Sequence, residues 1–303
     1  MSSGAKQSLY IVAEAAAGTT PNNPKWATLP FKSLSLDGAP NKTESDTVVD
    51  GRIGRGSYIT GLEIAGDIEA NASFATYDAL LEAAFFNEWK TDALSVGEVR
   101  KTFSAVRAYR DIGNYHTFKG LHVAKFALDI PEEGLITFKF TMAGLERSQA
   151  NAAPAGTVAA AALAEEFTNV GVGEITLDGT PLRGVACVTA FSFELDNGMK
   201  AQKCLGAGLS AGKQLEGRAT ISGSFTVAWS QKSAEIYEKQ FANGKLALVV
   251  PFGDAAGNKY ELSLPVVTVK GSLPSGGADD LLSTQFEYTV QDVSPVLKRV
   301  AKP

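Results

Sequence analysis

The sequence predicts a mainly β fold: two copies of one β-sandwich module in tandem, each flanked by a single α-helix. Three observations predict it. Apolar and polar residues alternate with period two in several short stretches, the pattern of strands with one buried face. Glycine is abundant, at 30 residues, and Thr, Val, Phe and Ser are spread throughout, a mix that favours strands and turns over long helices. The same order of elements then occurs twice within 303 residues, a length that accommodates two ordinary domains, each with its own core.

The repeat is clearest in two alternating stretches. In Leu62-Glu-Ile-Ala-Gly-Asp-Ile-Glu-Ala70 the apolar positions 62, 64, 68 and 70 map onto 219, 221, 225 and 227 of Ala219-Thr-Ile-Ser-Gly-Ser-Phe-Thr-Val227, a constant offset of 157, with Gly66 matching Gly223. Each stretch predicts a half-buried strand. From Thr76 to Phe86, Tyr77, Leu80, Leu81, Ala84 and Phe85 follow the i, i+3, i+4, i+7, i+8 spacing of an amphipathic helix, with Ser73 or Thr76 as its N-cap. Ile236, Tyr237 and Phe241 take matching places in the second half, within a residue.

A hairpin follows in both halves. Phe103–Tyr109 turns at Asp111-Ile-Gly-Asn, and Leu246–Phe252 turns at Asp254-Ala-Ala-Gly-Asn. Each half closes on a strand with one apolar face, Phe138, Phe140 and Met142 in the first and Phe286, Tyr288 and Val290 in the second. The predicted organisation is a first module over 1–147, a small-residue-rich connection over 148–170 ending in a short helix, and a second module over 171–303. The segments Asp37–Ser57 and Asp196–Gln214 read as long loops, and loops of that length are usually functional or mobile.

Composition excludes several function classes. The net charge of −5 lacks the basic excess of a protein that grips nucleic acid. No apolar run reaches the roughly 18 residues of a membrane span, and the first residues lack the charge and apolar core of a secretory signal. Without export, Cys187 and Cys204 are expected as reduced thiols, and the sequons at Asn41 and Asn71 as chance matches.

Catalytic and ligand-binding patterns are thin. His116 and His122 sit in or beside the first hairpin with no cysteine nearby and no carboxylate at ligand spacing, so they read as ordinary strand or surface histidines. Gly206-Ala-Gly-Leu-Ser-Ala-Gly-Lys-Gln214 fails as a phosphate loop. Ala207 stands where a glycine is required, Gln214 cannot supply a hydroxyl, and a strand follows instead of a helix. Gly51-Arg-Ile-Gly-Arg-Gly56 has the wrong spacing for a dinucleotide loop. No catalytic residue, cofactor or metal is expected.

The segment Tyr10-Ile-Val-Ala-Glu-Ala-Ala-Ala-Gly-Thr-Thr-Pro21 resembles the opening of a family of tail tube proteins from long-tailed bacteriophages. An early strand leads to an acidic residue (Glu14), then Gly-Thr-Thr-Pro (Gly18–Pro21), an aromatic residue (Trp26) and a strand (Phe31–Leu36). Asp50-Gly-Arg52, the Leu62–Ile68 stretch and Tyr77-Asp-Ala-Leu-Leu81 also look like the family pattern, so the likeness is best over residues 8–90.

That resemblance implies a structural subunit of the virion tail and not an enzyme. Its modules are β-sandwiches with one helix, joined six to a ring so that one sheet of each builds a continuous inner barrel. Rings stack into a conduit for the genome and the tape-measure protein, with the tail terminator and baseplate or tip proteins as further partners. Assembly takes place in the host bacterial cytoplasm, and no membrane is involved. Two modules per chain imply three chains per ring with pseudo-sixfold symmetry.

Residues expected to face the lumen are Glu63, Asp67, Glu69, Thr137, Lys139 and Thr141, with Thr220, Ser222, Ser224, Thr226, Gln285, Glu287 and Thr289 in the second half. Asp50, Gly51, Arg52, Arg55, Lys203 and Lys213 are expected in loops that contact the neighbouring ring. An acidic or neutral lining repels DNA and so keeps the passage free of adhesion. The competing readings are another ring-forming tail component, such as a tail terminator or a secretion-type tube protein, and a β-sandwich receptor- or carbohydrate-binding module. The last requires aromatics grouped on one face, whereas Trp26, Trp89 and Trp229 lie far apart in sequence.

Overall fold

A computed structural model describes residues 2–48, 50–206 and 208–302. Val49 of the first long segment, Ala207 of the glycine-rich loop and the two terminal residues lie outside the described residues. Strand accounts for 51% of the chain and helix for 9%, so the mainly β class is as expected.

The first half runs β1 (Gln7–Glu14), β2 (Lys25–Leu29), β3 (Ser33–Leu34), β4 (Asp37–Glu44), β5 (Ser57–Asn71), α1 (Asp78–Phe85), β6 (Ala93–Ser95), β7 (Thr102–Tyr109), β8 (Asn114–Ile130) and β9 (Thr137–Ala143). The connection holds β10 (Glu146–Ala150) and β11 (Thr157–Ala159). The second half runs β12 (Thr176–Leu177), β13 (Thr180–Pro181), β14 (Val188–Asp196), β15 (Lys200–Gln202), β16 (Lys213–Leu215), β17 (Thr220–Ala228), α2 (Gln231–Lys239), β18 (Leu246–Gly253), β19 (Lys259–Gly271), β20 (Ser283–Val290) and β21 (Val296–Val300).

Two long strands organise the pairing. The first part of β8 pairs with β7 and β10, and its second part pairs with β9 and β14. A register shift between Val123 and Lys125 lies at the change, where a bulge bends a strand from one set of partners to another. In the same way β19 pairs first with β18 and β21 and then with β20. One antiparallel wall therefore runs β4, β5, β9, β8, β14, β17, β20, β19, four strands from each half. It is an open sheet, and it does not close into a barrel within the chain.

The buried core forms one cluster through both halves. It joins Leu9, Phe103 and Phe118 to Ile68, Phe138 and Phe140, and onward to Phe193, Phe225, Tyr260 and Phe286. The Phe85 ring of α1 stacks on Phe193 of β14 at 6.5 Å. Tyr260 of β19 packs on Trp89 and Phe138 of the first half. Its hydroxyl donates to Asp78 Oδ1 at 2.6 Å.

Several local expectations differ from the structure. Neither Ser73 nor Thr76 caps α1. Their hydroxyls bond each other at 2.9 Å, the helix begins after Tyr77, and no side chain caps it. Asp78 stands in the first turn instead, where a carboxylate complements the helix dipole, and it holds Tyr260 and Arg299. Asp37–Glu44 is not loop but strand, paired with the start of β5; that arm carries no buried face, so its sequence lacks the alternation that reveals a strand. Within Asp196–Gln214, β15 and β16 pair as a second small hairpin. The connection has no α-helix. Its β11 lies parallel to β2, and the indole of Trp26 donates to Ala155 O at 2.8 Å.

The shared glycines have a common cause. A Cβ on Gly66 would stand 2.5 Å from the Leu36 backbone, and one on Gly223 would stand 2.1 Å from Ser192 O. Each lets the preceding strand approach closely. With Gly66 set on Gly223, the closing-strand residue opposite is Met142 in one half and Tyr288 in the other. The sequence match of Met142 to Val290 is thus two residues out of step, a slip that keeps every side chain on its face.

Candidate functional site

The wall has one buried face and one polar face. In β9 the residues Phe138, Phe140 and Met142 point into the core, so alternation turns Thr137, Lys139 and Thr141 outward. The same holds for Glu63, Asp67 and Glu69 against Ile64 and Ile68, and for Gln285, Glu287 and Thr289 against Phe286 and Tyr288.

Residues opposite one another in an antiparallel pair share a face. The register places Glu69 opposite Lys139, Lys139 opposite Ala127, Ala127 opposite Glu194, Glu194 opposite Ser222, and Ser222 opposite Thr289. Parallel rows take in Thr220, Ser224 and Thr226. All thirteen residues picked from the sequence therefore lie on one continuous face spanning both halves.

Sequence reasoning missed further members of that face. Lys125 and Asp129 of β8, Ser192, Glu194 and Asp196 of β14, and Thr268 and Lys270 of β19 occupy the same rows. Local pattern does not single them out: β8 reads as the return of a hairpin, and β14, the strand before the second long segment, carries no residue picked for the face. Eight carboxylates (Asp37, Glu63, Asp67, Glu69, Asp129, Glu194, Asp196 and Glu287) face four ammonium groups (Lys32, Lys125, Lys139 and Lys270), leaving the face acidic.

Ion pairs cross the strands. Lys139 meets Asp67 at 3.0 Å, and the Thr141 hydroxyl donates to Asp67 at 2.6 Å. Lys32 donates to Glu69 at 2.9 Å and holds its carboxyl below the ordinary value. Lys125 of the first half reaches Asp196 at 2.8 Å and Glu194 at 3.4 Å on the second. The hydrogen bond that Lys125 donates to Asp196 raises the lysine above its usual range. Burial works against the Asp196 carboxylate, but Lys125 and the Gly198 N–H outweigh it and hold the carboxyl low.

The wall ends in two unpaired edges. β3 and β4 pair with β5 alone, and β19 beyond Val267 pairs with β20 alone, among the described residues. Strand edges of this kind are templates for another strand, and here side chains hold part of them: Leu36 O accepts from Arg107 at 3.1 Å, Gly38 N donates to Asp37 Oδ1 at 2.7 Å, and Gly271 N donates to Gln240 Oε1 at 3.2 Å.

The expected stacking residues lie on two arms. Asp50, Gly51, Arg52 and Arg55 are exposed beyond the β4–β5 hairpin, beside Ile53 at 87% exposure and below it Tyr58 at 60%. Lys203 follows β15 and Lys213 opens β16, at either end of the loop that joins them. The second arm braces the first: Leu62 N–H donates to Leu209 O at 2.8 Å, and the Lys203 ammonium covers Gly61. Gln214 donates to Gly144 O at 3.0 Å.

The remaining candidates have structural settings. Glu14 accepts from Gly18 N at 2.9 Å, Ser104 Oγ at 2.6 Å and Gly120 N at 3.0 Å, so it pins the Gly18–Pro21 loop to β7 and β8. His122 is buried with Nδ1 at 3.0 Å from Gly120 O, and His116 Nδ1 lies 2.9 Å from Arg147. Burial pushes both imidazoles below their ordinary value, disfavouring the charged form. Cys187 and Cys204 are free and exposed. Among the described residues no helix is long and apolar enough to cross a membrane.

The family model described as phage tail tube protein matches residues 4–290. No curated protein matches the chain.

Proposed function

The chain belongs to the phage tail tube protein family, and we propose that three copies close into a ring whose inner wall is the polar sheet face. Rings then stack into the conduit of a long-tailed phage virion. The family gives a structural role in the tail and self-assembly into tubes. The observation that carries the finer reading is the continuous wall of both halves, polar on one side and unpaired at both ends.

Size supports it. Three copies supply about 24 strands, and at a spacing of ~4.8 Å and a tilt of ~40° these make a wall of radius ~24 Å. Side chains leave a bore of ~35 Å, wide enough for a DNA duplex, on the same estimate. Closure removes every edge, the same solution a barrel reaches. An acidic lining repels phosphate and leaves the genome free to move. The pairing of the two halves through β8 and β14 is one of six such junctions in the ring, so the chain acts as a fused dimer of modules over 1–147 and 171–303, joined by 148–170. The exposed arms contact the adjacent ring, the tape-measure protein occupies the bore before the genome does, and terminator and baseplate or tip proteins close the two ends. Assembly proceeds in the host cytoplasm.

Negative-stain imaging of the purified chain tests this. Discs or tubes with a central hole and threefold symmetry are expected. A chain that stays monomeric at every concentration and salt refutes it.

A further inference from the structure

Resting on that ring, we infer that copies close it in a single register, in which Lys270 of one copy pairs with Asp37 of the next and Leu273 meets Leu36. The template is the junction already present inside the chain. There, Phe193 of β14 lies opposite Leu128 of β8, and Lys125 reaches across to Glu194 and Asp196.

The glycines fix the equivalence of one edge. Gly223 opposes Phe193. Gly66 takes the same place opposite Leu36, because Leu34 pairs with Ile68 and Asp37 with Ala65. Leu36 therefore stands where Phe193 stands, and Asp37 stands where Glu194 does. Alternation puts Asp37, like Glu194, on the polar face, since Ala65 shares a face with Asp67.

Two independent counts fix the other edge. Lys125 and Lys270 each lie eleven residues beyond the first residue of their strands, Asn114 and Lys259. Across the wall, Met142 and Tyr288 face the two glycines; Thr141 and Glu287, one residue earlier, oppose Lys125 and Lys270. Lys270 is thus the counterpart of Lys125, and Leu273, three residues on, is the counterpart of Leu128. The chain still follows β20 there, because Ser272 O accepts from the Thr284 hydroxyl at 2.6 Å.

The monomer leaves three of these groups exposed. Leu273 is 59% exposed, whereas Leu36 is already buried, so the new contact covers Leu273. Lys270 and Asp37 are exposed, and neither forms a salt bridge among the described residues. Pairing them adds opposite charges at a contact and disfavours other registers, which lose that pair or leave Leu273 solvated.

Charge reversal tests the register. Lys270→Glu and Asp37→Lys are each expected to raise the protein concentration needed for ring assembly by about tenfold, while leaving the melting temperature of the unassembled chain unchanged. The double variant Lys270→Glu/Asp37→Lys is expected to assemble as the wild type does. Single variants that assemble normally, or a double variant no better than the singles, overturn this register while wild-type rings leave the conduit reading standing. A wild type without rings overturns that reading itself.

Discussion

Replacing Tyr260 by Phe probes how firmly the two halves are joined. Tyr260 belongs to the second half and is fully buried, yet its hydroxyl donates to Asp78 Oδ1 at 2.6 Å and accepts from Ala75 N at 3.0 Å, both in the first half. Phenylalanine keeps the ring on Trp89, Phe74 and Phe252. What is lost is a hydrogen bond to a charged carboxylate, about 1.5–3 kcal/mol, and the Ala75 N–H is left without an acceptor. Arg299 still neutralises Asp78, so the net cost is about 2–4 kcal/mol. For a chain of this length the melting temperature falls by ~3–6 °C. Urea unfolding of the unassembled chain measures it, and a single transition is expected because one core runs through both halves. Burial first, then the Asp78 carboxylate, push the phenol far above its ordinary value. A raised folded value means the contribution is complete below the unfolded pKa of ~10 and fades as pH rises beyond it. The difference from Tyr260→Phe should accordingly hold from pH ~6 to ~9. A loss below ~0.5 kcal/mol, or two separate transitions, refutes the reasoning.

Three further outcomes follow from the wall. Gly223→Ala drives a methyl against Ser192 O and the Tyr288 hydroxyl, and costs about 1–3 kcal/mol by thermal denaturation; an unchanged melting point counts against the glycine's role. Lys125→Met should cost under ~1 kcal/mol at neutral pH, since the pair is partly exposed. Asp196 is held below its unfolded value, so that cost persists above pH ~4 and vanishes as acid protonates the folded carboxyl, which melting curves across pH would show. Tubes carrying both Glu63→Lys and Glu287→Lys should retain DNA in a salt-dependent manner, whereas wild-type tubes should not; a filter-binding series in salt decides it, and equal retention sinks the repulsive lining.

The parts legible in the sequence were those where one face is buried and the other wet. Ile64, Ile68 and Ala70 alternate with Glu63, Asp67 and Glu69 because β5 has a core on one side only, and β9 and β20 read the same way. Strands without that contrast stayed hidden. The arm formed by Asp37–Glu44 is wet on both faces, so only its partner strand reveals it. The second part of β8 gave no sign of crossing to β14, because its apolar residues fit a hairpin as well as a wall. The polar face was legible from four strands, and its charge pairs were not: Lys125 meets Asp196 across a junction 71 residues apart in sequence, which no local spacing encodes.

Open edges invite indiscriminate pairing, so a chain that must stay apart until its ring forms needs edges that accept little else. The first edge meets that need through Pro40, which has no N–H to offer an incoming strand. Beyond it, Lys42 and Glu44 add charge to the exposed arm. Pro40 directly follows Ala39, and Ala39 occupies the place of Asp196, where the pairing of β14 with β8 ends inside the chain. The stretch of edge that remains usable, Leu34–Ala39, thus has the length and place of Phe191–Asp196, the stretch already paired at the internal junction. A strand that could pair anywhere along a long edge has many registers, whereas one confined to a few residues that include Asp37, the proposed partner of Lys270 on the other edge, has one. In the proposed ring, selectivity therefore comes from shortening the adhesive edge, and the same proline that hides the edge from strangers leaves Leu34–Ala39 for a copy.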